Sequence, residues 1–311
     1  MINFRYHVVS LTAVFLALAI GLVVGTAALN GPVADSLKSQ IDSLNKDNSN
    51  KRDQINQYRE EINRNQDFAT EVAPALLNGK LIGRRLLVIA LPGTSEYADG
   101  VESMLTVAGA TITARVTVQD KFFDPTMAYE LLYLAGQSPQ PSISMEGLPL
   151  NSDGVETASA QLARALLQRP GTQQALPDDV AAVLTAYTKG GYLAVSDKAV
   201  GGAEGVVVVS GEPYTDKDAA KKSKSAVTLA TQFSKVRPLI VAGVAVGDGN
   251  LVSAVRGDPT LVQSISTVDN ASTVQGQVAT SLATAERVVQ DKVGQYGLAA
   301  GASSWVPKAA A

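Results

Sequence analysis

From Val8 to Leu29 run 22 residues without a single charge, in which only Ser10, Thr12 and Thr26 are polar. A hydrocarbon core about 30 Å thick is crossed by about 20 helical residues, so this segment has the length of one membrane span. A cleaved signal peptide carries an apolar region of only about 7–15 residues, and Gly25-Thr26-Ala27 makes a poor cleavage site. The segment therefore reads as an uncleaved anchor over residues 8–29. Arg5, the α-amine and His7 precede it, and no basic residue follows until Lys38. Positive charge stays inside, which predicts a cytoplasmic tip at residues 1–7 and a main domain outside the cell membrane. Ala13, Ala17, Gly21 and Gly25 recur every four residues and share one helix face, a stripe that lets membrane helices approach closely.

After Asn30-Gly31-Pro32 the composition turns to Asn, Gln, Lys, Asp and Glu. Apolar residues now fall on a heptad. Leu37, Leu44, Tyr58 and Val72 occupy one seam position, and Ile41, Ile55, Ile62 and Ala69 the other; Asn48, Lys51 and Asn65 are the polar exceptions. Alternate spacings of four and three are the coiled-coil pattern, and a seam Asn such as Asn48 fixes register at a cost in stability. Residues 33–72 are thus expected to form a coiled-coil stalk about 60 Å long. Its partner is either a second copy or another membrane protein. A lone polar helix is the alternative.

Pro74 and Asn78-Gly79 end that helix, and residues 80–300 follow a different rhythm. Leu86–Leu91, Thr111–Val118, Gly205–Val209, Pro238–Val246 and Ser264–Val268 are short apolar or β-branched runs, the mark of strands buried on both faces. Helical stretches around Ala98–Ala108 and Thr273–Val293 separate them. This alternation predicts an α/β domain with a doubly wound, mostly parallel, five-stranded sheet of receiver or flavodoxin type. Eighty-six residues between Val118 and Gly205 far exceed one crossover. They hold a Pro/Ser/Gly-rich stretch from Gln137 to Gly154 and two amphipathic segments. Val155, Ala158, Leu162 and Leu166 mark the first, which Arg169-Pro170-Gly171 breaks. Val180, Val183, Leu184 and Tyr187 mark the second, which starts at Pro177. The region over about 137–190 reads as an inserted helical hairpin, with Tyr192–Val195 adding a short strand. Residues 301–311, Ala/Gly/Ser-rich apart from Trp305, read as a flexible tail.

Composition narrows the chemistry. The chain has no Cys, one His and four scattered Met (Met1, Met104, Met127, Met145). Thiol catalysis, disulfides, Cys-based zinc sites and His-dependent triads are excluded together. Twenty-six basic against 29 acidic residues give a net charge of −3, with no global attraction to nucleic acid. Pro92-Gly93-Thr94-Ser95 and Gly247-Asp248-Gly249-Asn250 are turns at strand ends. Neither carries a phosphate-binding glycine fingerprint. Thr94, Ser95, Asp248 and Asn250 remain candidates for a small-ligand crevice. Phosphoreceiver carboxylates are missing after Leu91 and after Val209. Asp216, Lys217, Asp218, Lys221, Lys222 and Lys224 read as a solvated helix start. The chain is expected not to be an enzyme and to need no cofactor or resident metal.

The opening MINFRYHVVSLTAVFLALAIGLVVGT and the late STVDNASTVQGQVATSLATAERV resemble actinobacterial envelope proteins of the MctB type, called copper transporters, and the related SteB proteins. The likeness also covers the polar stalk, LLVIALPG and VVVVSG. It implies one of two roles: copper efflux or an outer-membrane channel, or control of an NlpC/P60-type peptidoglycan hydrolase at the septum during cell separation. Cuprous ion prefers Cys and Met sulfur, then imidazole, and this chain offers no paired set. One apolar helix cannot form a pore alone, and no alternating 10-residue strands mark a barrel. The sequence therefore favours the second role, a non-enzymatic envelope regulator or scaffold. Its expected contact surface for the hydrolase is the insertion: Leu162, Arg164, Leu166, Arg169, Val180 and Leu184. Copper transport and small-ligand sensing are the alternatives.

Overall fold

The computed structural model describes residues 4–29, 31–145, 152–196, 199–244 and 248–308. Met1 and the start of the cytoplasmic tip, Asn30, residues 146–151 of the Pro/Ser/Gly-rich stretch, Ala245-Val246-Gly247 and the tail from residue 309 lie outside the described residues. The chain divides into two units, residues 1–65 and 66–311.

The first unit is helical. α1 (Phe4–Leu29) contains the apolar segment, and its side chains are exposed nearly throughout. Over Phe4–Ala27 its mean hydropathy is 2.6, and it is the one described helix long and apolar enough to cross a membrane. α2 (Pro32–Leu77) is a continuous helix of 46 residues, longer than the expected 33–72. Pro74 sits inside its last turns and does not end it. The stop falls at Gly79, whose φ of 80° is left-handed.

The second unit is an α/β sandwich. In chain order it contains β1 (Arg85–Ala90), α3 (Ser95–Val107), β2 (Thr111–Val118), α4 (Ala128–Gln137), α5 (Gly154–Leu166), α6 (Pro177–Lys189), β3 (Leu193–Val195), β4 (Gly205–Ser210) and α7 (Ala219–Ser234). β5 (Leu239–Gly243), α8 (Leu251–Gly257), β6 (Ile265–Val268), α9 (Val274–Val289) and β7 (Gln295–Tyr296) complete it. The expectation of a five-stranded sheet is corrected: the strands form one seven-stranded mixed sheet, ordered β3-β2-β1-β4-β5-β6-β7. Each of the five expected runs is a strand. The short strand expected at Tyr192–Val195 is the edge strand β3; the edge strand missed is β7. β3 joins β2 antiparallel, and the two-residue β7 joins β6 parallel.

Side chains alternate across this sheet as a pleat requires. Leu87, Ile89, Val206, Val208, Leu239 and Val241 point to one face, under α5, α6, α7 and α8. Leu86, Val88, Ala90, Val207, Val209 and Ala242 point to the other, under α3, α9 and the end of α2. Both faces being covered explains the continuous apolar strands. Ala69, one of the expected stalk-seam residues, is buried in this second unit, and Ala73 and Leu77 follow it into the core.

The expected helical insertion is present and packs on the sheet. α5 is a sheet-covering helix, wedged against α4 and α7. Asp153 caps its start by accepting from the Glu156 amide, and Pro177 opens α6. The two helices touch each other and both belong to the main apolar layer.

At the far edge one ion pair is almost fully enclosed. Arg256, whose side chain is 5% exposed, lies 2.7 Å from the Asp269 carboxylate, which is 1% exposed. Asp269 also accepts from the Leu298 and Ala299 amides at 2.7 and 2.9 Å, and Arg256 donates to the Tyr296 carbonyl at 2.7 Å. Residues 302–304, part of the expected flexible tail, are held against β7: the Ser303 amide donates to Gln295 and the Gly297 amide to Ser304. Trp305 is exposed.

Candidate functional site

The sequence marked four sets of residues, and they have different fates. Ala13, Ala17, Gly21 and Gly25 lie along exposed α1, and a Cβ built on Gly21 or Gly25 would meet nothing within 4 Å. The stripe is open to another helix or to lipid. Leu37, Ile41, Leu44, Asn48, Ile55, Tyr58 and Ile62 are all exposed on α2. They share one side of a helix because heptad spacing advances by about two turns.

The insertion set is overturned in large part. Leu162, Leu166, Val180 and Leu184 are buried in the core beneath the sheet-covering helices and cannot form a contact surface. An amphipathic helix that covers a sheet shows the same periodicity as one that docks a partner, and only the tertiary neighbours separate the two. Arg164 and Arg169 do reach the surface. With Lys235 they line a groove of about 450 Å³ beside the ends of α5 and α7. Arg164 donates to the Ser144 carbonyl at 2.7 Å, and burial together with the nearby Arg169 lowers its pKa. Arg164 stands in the last turn of α5 and Lys235 at the C-cap of α7, where cations offset the partial negative charge of helix ends.

The fourth set lies at the carboxyl ends of the strands. Thr94 is fully buried, and its hydroxyl bonds to the Leu91 and Val209 carbonyls at 2.8 and 3.1 Å, tying the ends of β1 and β4 together. Ser95 and Asp248 are exposed. Asn250 caps α8 by accepting from the Ser253 amide, and it lines a cavity of about 30 Å³ with Ser210, Tyr214, Ser223 and Leu251. Adjoining it is a wider cavity of about 420 Å³, walled by Pro92, Gly93, Tyr97, Asp120, Glu212 and Tyr214. The two share Pro92, Gly211, Glu212 and Tyr214. Tyr97, Asp120, Ser210, Glu212 and Tyr214 were not marked by sequence. Their one available signal was proximity to the ends of apolar runs.

Charge concentrates near the wider cavity. Lys222 pairs with Asp216, which lowers the carboxyl pKa and raises that of the amine. Burial, then Asp120 and Asp216, push the Tyr214 phenol up to about 12, so it stays protonated.

Two of the sulfur side chains that copper prefers lie apart. Met104 packs against one core cluster and Met127 against the other, on opposite faces of the sheet, so they cannot share an ion. His7 is on exposed α1. Among the described residues no three His, Cys, Asp or Glu side chains come together as a metal site.

An exposed apolar N-terminal helix ahead of a long polar helix and a covered α/β sheet fits a membrane-anchored protein. The chain belongs to the family described as "Copper transport outer membrane protein, MctB", whose model matches residues 1–307. It is similar to the copper transporter MctB of Mycobacterium bovis, 28% identical over 98% of both chains, and to that of Mycobacterium leprae, 25% identical over the same shares. The same protein of Mycobacterium tuberculosis is also 28% identical.

This overturns the expected hydrolase-regulating role. Family and relatives alike are described by copper transport, no finding supports an NlpC/P60 partner, and most of the surface assigned to that partner is core. Scarcity of soft ligands was a misleading guide, because it tests for a resident metal site and not for work in a transport system.

Proposed function

We propose that this chain is a membrane-anchored, extracytoplasmic component of envelope copper transport that acts without catalysis. The observation that carries the reading is the family match from residue 1 to 307, which takes in anchor, polar helix and α/β domain together. Copper is cargo in this reading, not a ligand of a cluster in the domain. The distribution of basic residues about α1 supports an N-terminus in the cytoplasm and the domain beyond the membrane.

One apolar helix offers no polar lining for an ion path, so transport requires an assembly. The exposed heptad on α2 supports a parallel pair of this chain, with Asn48 setting the register. The small-residue stripe on α1 gives the same pair a close approach inside the bilayer.

The test is a deletion strain grown across a copper series, with total cell copper measured by mass spectrometry. Deletion is expected to change copper content and tolerance, with recovery on supplying the full chain. Unchanged copper content and tolerance in the deletion strain would refute the role. Ile41→Asp with Ile55→Asp, which breaks the seam, is expected to fail to restore it.

A further inference from the structure

The inner parallel strands run in the order β2-β1-β4-β5-β6. After β1 the chain turns to α3 on one face, and after β4 it turns to α7 on the other. Outward-splitting connections of this kind leave a crevice above the carboxyl ends of the two central strands, where open α/β sheets bind ligands. The two adjoining cavities lie there, lined from β1 by Leu91, Pro92 and Gly93 and from β4 by Ser210, Gly211 and Glu212.

Topology alone does not make a site, but the side chains add two observations. Ser210 is 2% exposed, and its hydroxyl has no hydrogen-bond partner. It follows Val206 and Val208 at a spacing of two, so it points to their face, into the narrow cavity under Ser223 and Leu251. An unpaired buried hydroxyl is costly unless something else satisfies it. The wider cavity is acidic and aromatic. Among the described residues Asp120 and Glu212 make no ion pair, although the Lys222 ammonium, paired with Asp216 and 5.8 Å from the centre of the Tyr214 ring, also feels the Asp120 charge. Tyr97 and Tyr214 supply ring surface, which attracts cations.

We propose that this crevice binds a small organic molecule with a primary ammonium at one end and a hydroxyl at the other. The ammonium sits among Asp120, Glu212 and the two tyrosines, and the hydroxyl enters the narrow cavity to pair with Ser210. A metal ion is a poor occupant, since among the described residues no third His, Cys, Asp or Glu joins the two carboxylates. The site stands apart from the copper reading, and neither depends on the other.

The probe is 5-amino-1-pentanol, titrated into the full chain in detergent micelles with ring-labelled tyrosines and followed by NMR. Saturable shifts confined to Tyr97 and Tyr214 are expected, weakening as salt is raised. Pentanoate, with the same five carbons and the opposite charge, is expected to produce none. Glu212→Gln should weaken binding about tenfold, as loss of a charged hydrogen-bond partner does. Asp120→Asn, at an exposed position, serves as a second variant. Ser210→Ala should weaken binding several-fold and yet raise the melting temperature, because it removes a hydroxyl that is unpaired in the free chain. Absence of saturable shifts, equal binding of pentanoate, or a Ser210→Ala chain that melts lower and binds unchanged would each overturn the proposal.

Discussion

The two units of this chain dispose of their apolar residues in opposite ways. In residues 1–65 the large apolar side chains, from Phe15 and Leu22 to Ile41 and Ile62, are exposed. In the α/β domain the strands are buried on both faces, and Tyr187, Phe122, Phe123 and Phe233 are all but completely enclosed. Burying one such side chain is worth about 1.5–3 kcal/mol. The domain collects that gain from its own chain, whereas α1 and α2 up to residue 65 leave their large apolar side chains exposed. On the proposed reading, stability of the first unit depends on its surroundings, and stability of the second is intrinsic.

The sharpest way to test this contrast is to damage the domain from within. Asp269→Asn leaves Arg256 buried without its countercharge, a defect that typically costs about 3–5 kcal/mol. Thermal unfolding followed by near-ultraviolet circular dichroism should show a large drop in melting temperature, with the helical signal of the first unit kept. Gly276→Ala is the next in size. A Cβ there would collide with the Asn270 carbonyl oxygen, so the α9 start must shift, at about 1–3 kcal/mol. The same melt reads it, and an unchanged midpoint would show the α9 start to be softer than its packing implies.

Damage to the first unit should look different. Ile55→Asp on the exposed seam should change the domain's stability by no more than about 0.5 kcal/mol, as surface substitutions do. Cross-linking of the full chain in membranes should nevertheless lose its paired species. A fall in domain stability with pairing intact would reverse the comparison. The smallest effect concerns Lys222 and Asp216. The Asp216 pKa is lowered in the folded chain, so its pairing contributes above the unfolded value of 3.8 and is lost as pH falls through the folded one. Lys222→Met should return the Asp216 carboxyl toward its ordinary value, as carboxyl-carbon NMR titration can follow.

Legibility in the sequence followed the range of the interactions. The anchor, the long polar helix and five strands were readable because each announces itself within a few turns or a few residues. The short edge strand β3 was expected as well, but the edge strand β7 was not. β7 is two residues long, and it exists because Asp269, Arg256 and the segment after Gly297 hold it beside β6. The insertion was read with the right helices and the wrong exposure. The late stretch that carried the family likeness holds Asp269, Gly276 and Gln277, whose roles as ion-pair partner, close-packed backbone and buried hydrogen-bond donor emerge only with their neighbours in place.

By itself, then, the sequence determined an uncharged 22-residue span, a heptad along a polar helix and apolar strands meant for burial on both faces. These are local patterns, set by one chain's periodicity against water or lipid. Tertiary structure alone decided that Leu162 and Val180 are core, that Met104 and Met127 are on opposite faces, and that Ser210 and Asp120 line adjoining cavities that share Glu212. Such outcomes depend on residues tens of positions apart, and the order in which strands pair, which no local pattern encodes, is what brings them together.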